Sequence, residues 1–330
     1  RSASLIARSL LPLAVGPAMS ASGGRAACPV SEPERDFALF IARLIADQAL
    51  LSANCDAALA ALSARGMNAT VKPLVAASGV QFAVTGGDRT SLADVLDKAF
   101  APSDMLIADH EPVVPQLFVS DMDSTMIVAE CIDELADFAG LKPQIAAITE
   151  RAMQGELDFE SALRERVMLL RGLSEDAIRE CLATRIAPMP GARTLVATLK
   201  AKGCKTVLVT GGFHQFADPV AEQLGFEMVV ANRLEVLDGQ LSGGLVGGIT
   251  DSGVKKAVLI EEAQRIAPDA ITLATGDGAN DIPMLVEATY GLAYSAKPKA
   301  RAAADGWVDR GDLTGVLELL GIPREEWVWE

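Results

Sequence analysis

Histidine is almost missing from this sequence. Its 330 residues hold only His110 and His214, which nearly excludes chemistry built on histidine clusters. Cysteine is scarce too. Cys28, Cys55, Cys131, Cys181 and Cys204 are odd in number, widely separated and free of any CxxC pair. A disulfide framework or zinc site is therefore not expected, and reduced thiols in a cytoplasmic protein are the simple reading. Long apolar runs are absent: Ser9–Val15 and Ile271–Thr275 fall far short of the roughly 20 residues that cross a bilayer. No GxxxxGK[ST] loop occurs, so no Walker-type nucleotide site is expected. Positive charge is also in deficit, with 29 Lys and Arg against 44 Asp and Glu, a net charge of −15. Nucleic acid and anionic membrane reward clustered cations, so neither is an expected partner. An anionic substrate would need a local cationic pocket or a bound metal.

What is present is globular: half of the residues are hydrophobic and 22% are charged, enough for a buried core and two domains of ordinary size. Residues 1–36 stand apart. The stretch Arg1–Ser31 has no acid, and Arg1, Arg8 and Arg25 lie among Ser, Ala and Gly. It resembles a transit peptide with Met19 as an internal start, while a mis-assigned start or a disordered tail is the plainer and favoured reading. Residues 37–112 read as a small α+β unit. The spacing predicts helices over Phe37–Leu51 and Cys55–Arg65, a strand over Gly79–Thr85, and a helix over Ser91–Ala99 capped by Ser91. Glu111–Pro115 reads as a linker.

From residue 113 to 330 the pattern changes to apolar runs that end in small or acidic residues, alternating with helices. Gln116–Ser120 precedes Asp121, Thr206–Val209 precedes Thr210, and Ile271–Thr275 precedes Gly276. Such alternation predicts an α/β fold with a parallel sheet, whose ligands lie beyond the carboxyl ends of the strands. All three polar clusters fall at that edge. A helical insert over about 131–187 follows the first strand, with helices at Ala129–Gly140, Ser161–Arg171 and Ser174–Ala183, and reads as a lid. Leu234–Gly248 reads as a hairpin turning at Asp238-Gly239.

Asp121-Met122-Asp123-Ser124-Thr125 places two carboxylates on one turn, where one can attack phosphorus and the other can move protons. Thr210-Gly211-Gly212 offers a hydroxyl and unhindered N–H groups that can cradle a phosphate oxygen. Gly276-Asp277-Gly278-Ala279-Asn280-Asp281 brings two acids toward a cation, while lacking the alternating oxygens and distal Glu of a calcium loop. Lys255 or Lys256 can neutralise a phosphate. Each element alone also fits a plainer role, as a capping loop, a turn or a solvated lysine. Their joint order after successive strands argues otherwise.

These four elements resemble the signature of the haloacid dehalogenase superfamily. The strings DMDSTMIVAECIDELA, FESALRERVMLL, TGGF, ANRLEV, GDGAND and AYSAKPK make Gln116 to about Leu320 similar to its phosphoserine phosphatase branch. The resemblance implies a three-layer Rossmann-like parallel sheet with a helical cap inserted after the first strand, beside a small N-terminal α+β domain that faintly resembles an ACT-like one. It implies Mg²⁺-dependent hydrolysis of O-phospho-L-serine through an aspartyl-phosphate, the last step of serine biosynthesis. Asp121 is then the nucleophile and Asp123 the general acid/base. Thr210, Gly211, Asn280 and Lys255, chosen over Lys256 for its spacing to Leu259, bind phosphate. Mg²⁺ is held by the Asp121 carboxylate, the Asp123 carbonyl and Asp277, with Asp281 behind them. In the lid Glu130 meets the substrate ammonium, Arg166 its carboxylate, and Met153 and Phe159 form the apolar wall. The partner is a small-molecule substrate, with a homodimer left open. Two rivals stand: phosphoryl transfer by the same fold on another phosphomonoester or to an alcohol, and an amino-acid-binding module with a decayed catalytic domain.

Overall fold

The computed structural model describes residues 39–74, 78–153 and 156–329. The expectations for residues 1–36 lie outside them. The chain runs β1 (Leu39–Ile45), α1 (Gln48–Ala64), β2 (Asn68–Leu74), β3 (Gly79–Thr85), α2 (Arg89–Phe100) and β4 (Asp104–Ala108). After β5 (Leu117–Ser120) come four helices, α3 (Cys131–Phe138), α4 (Lys142–Met153), α5 (Phe159–Leu169) and α6 (Glu175–Arg185). Then follow α7 (Ala192–Ala201), β6 (Lys205–Phe213), α8 (His214–Leu224), β7 (Met228–Asn232), and the hairpin of β8 (Leu234–Leu237) and β9 (Gln240–Leu245). The chain ends through α9 (Ser252–Ile266), β10 (Thr272–Gly276), α10 (Ile282–Glu287), β11 (Tyr290–Tyr294), α11 (Pro298–Ala303), β12 (Gly306–Val308) and α12 (Thr314–Leu319).

Ten strands form one sheet in the order β2-β3-β1-β4-β12-β11-β10-β5-β6-β7. From β12 to β7 every neighbour is parallel, as expected for buried apolar runs separated by helices. The four N-terminal strands pair antiparallel, and β4 joins β12 antiparallel through Leu106 opposite Gly306. Residues 109–116 form neither helix nor strand, yet the hydrogen-bonded sheet continues past them. A side chain at Gly306 would collide with the Met105 backbone, so glycine permits the close approach of the two strands. No helix among the described residues is long and apolar enough to cross a membrane.

Three local expectations need correction. Phe37–Leu51 is not a helix: β1 occupies its middle, paired on both sides by β3 and β4. Apolar residues stand at almost every position there, so helical spacing is satisfied by accident, and the two sheet neighbours decide. The cap of α2 is Asp88, whose side chain accepts from Ser91 N–H at 2.9 Å; Ser91 is not the cap. Thr210–Gly212 does not follow β6 but lies within it, where the register shifts between Val209 and Phe213. Helix α8 begins only at His214. Strands β2 and β4 and helix α4 were not foreseen. Elsewhere β3 matches its expected bounds, Ser174 caps α6 by accepting from Asp176 N–H, and the hairpin turns at Asp238-Gly239 with both φ angles positive.

Candidate functional site

The carboxyl ends of β5, β6 and β10 lie side by side in the sheet, and each delivers its polar cluster to one cavity of about 500 Å³. Asp121, Asp123, Thr210, Gly211, Asp277 and Asn280 line its floor, while Glu130, Phe159 and Arg166 reach it from the insert. Lys255 and Asp281 lie beneath, both buried. Met153 ends α4, and its side chain lies outside the described residues.

Asp121 leaves β5 where its N–H donates to the Thr275 carbonyl of β10 at 2.9 Å. Its Oδ1 accepts from Met122 N–H at 2.7 Å and pairs with Lys255 Nζ at 2.7 Å. The same ammonium meets Asp281 Oδ1 at 2.7 Å, and Asp281 Oδ2 accepts from Gly278 N–H at 3.0 Å. Asn280 donates to Asp281 Oδ1 at 3.4 Å and so joins the lysine indirectly. Burial pushes the Asp121 carboxyl well above the usual range, and the Asp281 charge adds to it, against the pull of Lys255. Burial also works against the Lys255 ammonium, but Asp121 and Asp281 more than offset it and hold its pKa above normal.

Asp123 stands two residues on, with Oδ1 accepting from Cys131 N–H at 3.1 Å at the start of α3. Burial, then the Glu130 charge, pushes its carboxyl up to about 7. An acid poised there can give a proton and take one back near neutral pH. Gly212 lets this corner close: a Cβ on it would stand 3.0 Å from Asp123 Oδ2 and 3.2 Å from Thr210 Oγ1. Thr210 Oγ1 in turn accepts from Gly212 N–H at 2.9 Å.

The insert supplies one charge of each sign. Glu130 accepts from Ser124 Oγ at 2.9 Å, and its pKa is raised by burial and then by Asp277, against the Ser124 hydrogen bond. Arg166 on α5 donates Nε to the Ala162 carbonyl at 3.3 Å. Burial holds its guanidinium below the ordinary value, opposed by Asp133 and Glu130. A substrate carrying a cationic and an anionic group beside its reacting centre would relieve both.

Three site residues had no role in the sequence reading. Ser124 holds Glu130 from a left-handed backbone, φ 54°. Asn232 donates to the Gly211 carbonyl at 2.8 Å and accepts from Thr250 N–H at 2.8 Å, tying the β6 irregularity to the approach of α9. Lys297 lines the cavity and meets Asp277. The strings DMDSTMIVAECIDELA, ANRLEV and AYSAKPK contain all three, but only the fold shows what they touch.

Carboxylate oxygens of Asp121, Asp277 and Asp281 lie within 4.8 Å of one another. Hard oxygen donors of this kind suit Mg²⁺. Among the described residues Lys255 is the one buried cation facing Asp121 and Asp281, so three clustered carboxylates share little positive charge. A divalent cation fits these residues.

Comparison with known proteins gives the family. The family model of the haloacid dehalogenase-like hydrolases matches residues 118–286. A phosphoserine phosphatase of Polaromonas sp. strain JS666 is 42% identical over 227 residues, covering 67% of this chain and 94% of that protein. Some longer phosphoserine phosphatases are spanned only from 52% to 74% of their length. A probable phosphoserine phosphatase from Vibrio cholerae, solved unliganded, superposes with a TM-score of 0.66 at 34% identity, covering 88% of each chain. A structure described as the phospho-aspartyl intermediate analogue of phosphoserine phosphatase gives 0.57 at 37% identity, over 62% of this chain and 98% of that one.

Proposed function

The chain belongs to the haloacid dehalogenase-like hydrolases and is a phosphatase of their phosphoserine phosphatase branch, and from that premise we propose that it hydrolyses O-phospho-L-serine to L-serine and phosphate through an aspartyl-phosphate on Asp121. One observation carries the substrate: a single cavity holds the Asp121–Asp123 pair on its floor and the oppositely charged Glu130 and Arg166 on its wall.

Asp121 attacks phosphorus. As its carboxylate oxygen bonds to phosphorus, the bond from phosphorus to the seryl oxygen breaks, and Asp123 gives that oxygen its proton. Asp123, now a carboxylate, takes a proton from water as the water attacks phosphorus. Phosphate leaves and both aspartates return to their starting forms. General acid and base catalysis of this kind contributes about 10²–10⁴-fold. Lys255 and the Met122 N–H fix Asp121 Oδ1, so the nucleophile is oriented before substrate arrives. An ammonium has three N–H donors; Lys255 spends two on Asp121 and Asp281, and the third is assigned to the phosphate, with Thr210 and the Gly211 backbone. Asp121, the Asp123 carbonyl and Asp277 would hold Mg²⁺, backed by Asp281, and bound there it would offset the charge of the phosphate oxygens.

Glu130 takes the substrate ammonium and Arg166 its carboxylate, with Phe159 as an apolar wall. An ester lacking the amino-acid head leaves both charges unpaired in a confined site, at about 1–3 kcal/mol each. The reaction places the enzyme at the end of serine biosynthesis. The scattered free thiols of Cys55, Cys131, Cys181 and Cys204 support a cytoplasmic setting.

The test is phosphate release with Mg²⁺ from L-phosphoserine, phosphothreonine, phosphoethanolamine and p-nitrophenyl phosphate, each with and without EDTA. L-Phosphoserine is expected to be strongly preferred, and EDTA to abolish turnover. Equal turnover of p-nitrophenyl phosphate would overturn the roles of Glu130 and Arg166.

A further inference from the structure

Two lysines contact the acids of the site, and they are built differently. Lys255 is 1% exposed and locked between Asp121 and Asp281. Lys297 is 65% exposed and reaches in from the cavity rim, with Nζ 3.2 Å from Asp277 Oδ2, while the Asp277 side chain is only 9% exposed. The Lys297 backbone N–H donates to the Asp277 carbonyl at 2.9 Å, so the loop before α11 is pinned to the acidic loop without the side chain. The lysine ammonium is thus free to leave without releasing the loop. Its side chain makes one ion pair among the described residues, and that pair is with a carboxylate read above as a cation ligand.

We propose that the Lys297 ammonium competes with the divalent cation for the Asp277 carboxylate, so that it sets the cation affinity of the site. This rests on the reading of Asp277 as a ligand. A cation arriving at Asp277 meets a like charge only 3.2 Å from one of its oxygens, and the ammonium must withdraw along its exposed stem. The charge of Glu130 already acts on this ammonium where it stands, and withdrawal along the exposed stem leaves it at the cavity rim. There its positive charge faces an incoming anion. Cation binding and substrate attraction are thereby coupled through one side chain. Lys255 cannot behave in this way, because its displacement would strip two buried carboxylates at once.

The experiment is titration calorimetry of Mg²⁺ into the metal-stripped full chain, for wild type, Lys297→Met, Lys297→Arg and Asp277→Asn. Lys297→Met is expected to bind Mg²⁺ about three- to tenfold more tightly than wild type, the scale of one partly exposed charge interaction. Lys297→Arg is expected to stay near wild type, and the gain in Lys297→Met to shrink as salt rises. Unchanged or weaker binding by Lys297→Met overturns the proposal, since the lysine would then be neutral or part of the site. Asp277→Asn separates the two readings. If it binds Mg²⁺ as well as wild type, the ligand assignment has failed; if it binds far more weakly while Lys297→Met equals wild type, only the competition has failed.

Discussion

On the antiparallel side of the sheet, the buried charged groups of Arg43 and Asp104 are each held by several hydrogen bonds. Arg43, 6% exposed, gives Nε to Gln81 at 3.0 Å, Nη1 to the Leu319 carbonyl at 3.0 Å and Nη2 to Glu111 at 2.9 Å. Asp104 accepts two backbone N–H groups, from Asp309 and Arg310, at 2.8 Å each. On the parallel side, Asp121, Asp277 and Asp281 crowd together, with buried Lys255 between Asp121 and Asp281 and only the exposed Lys297 at Asp277. A fold that satisfies its charges in one half has the means to do so in the other. The surplus of acid at the ends of β5 and β10 is therefore the mark of a site completed by something else. The two halves share ten strands and differ in what they leave unfinished.

Removing the buried lysine should sharpen that contrast most. Lys255→Met leaves Asp121 and Asp281 without their cation, and stability in metal-free buffer is expected to fall by about 3–5 kcal/mol. Urea unfolding measures it, and saturating Mg²⁺ should restore part of the loss by binding only the folded state. No recovery with Mg²⁺ would break the comparison. Next, Phe82→Ala on the antiparallel side opens a cavity at a ring packed 6.1 Å from Phe100, at a cost of about 3–4 kcal/mol. Turnover and KM, assayed where the variant remains folded, should be unchanged. Smaller again, Glu130→Gln is expected to lose about 1–3 kcal/mol in kcat/KM for L-phosphoserine, with little change for p-nitrophenyl phosphate. A parallel loss on both substrates would make Glu130 a structural residue. Least of all, Asp88→Ala removes the cap of α2 and should cost about 1 kcal/mol in thermal unfolding, leaving the site untouched.

The site was more legible in the sequence than the antiparallel half, for a physical reason. Asp121-Met122-Asp123, Thr210-Gly211-Gly212 and Gly276–Asp281 are local strings at the ends of apolar runs, and the parallel sheet aligns those ends whatever the details of the register. Strand β1 depends on partners far along the chain, β3 and β4, and its nearly continuous apolar run carries no period of its own. Strand β2 is an edge, and Pro73 interrupts its alternation, so the sequence carries no clear strand period there. The join of β4 to β12 pairs Leu106 with Gly306 and has no local signature at all. Lys297 and Asn232 fell in recognised strings, yet their partners, Asp277 and Gly211, are set by the turns between strands.

On the proposed mechanism, Asp121 carries the phosphoryl group of L-phosphoserine during turnover. Quenching the enzyme during turnover with borohydride reduces an acyl phosphate to the alcohol, and peptide mass spectrometry then locates it. Homoserine is expected at position 121 only when L-phosphoserine and Mg²⁺ are both present, and none in Asp121→Asn. Steady turnover with Asp121 unmodified, or reduction at another carboxylate, would contradict it.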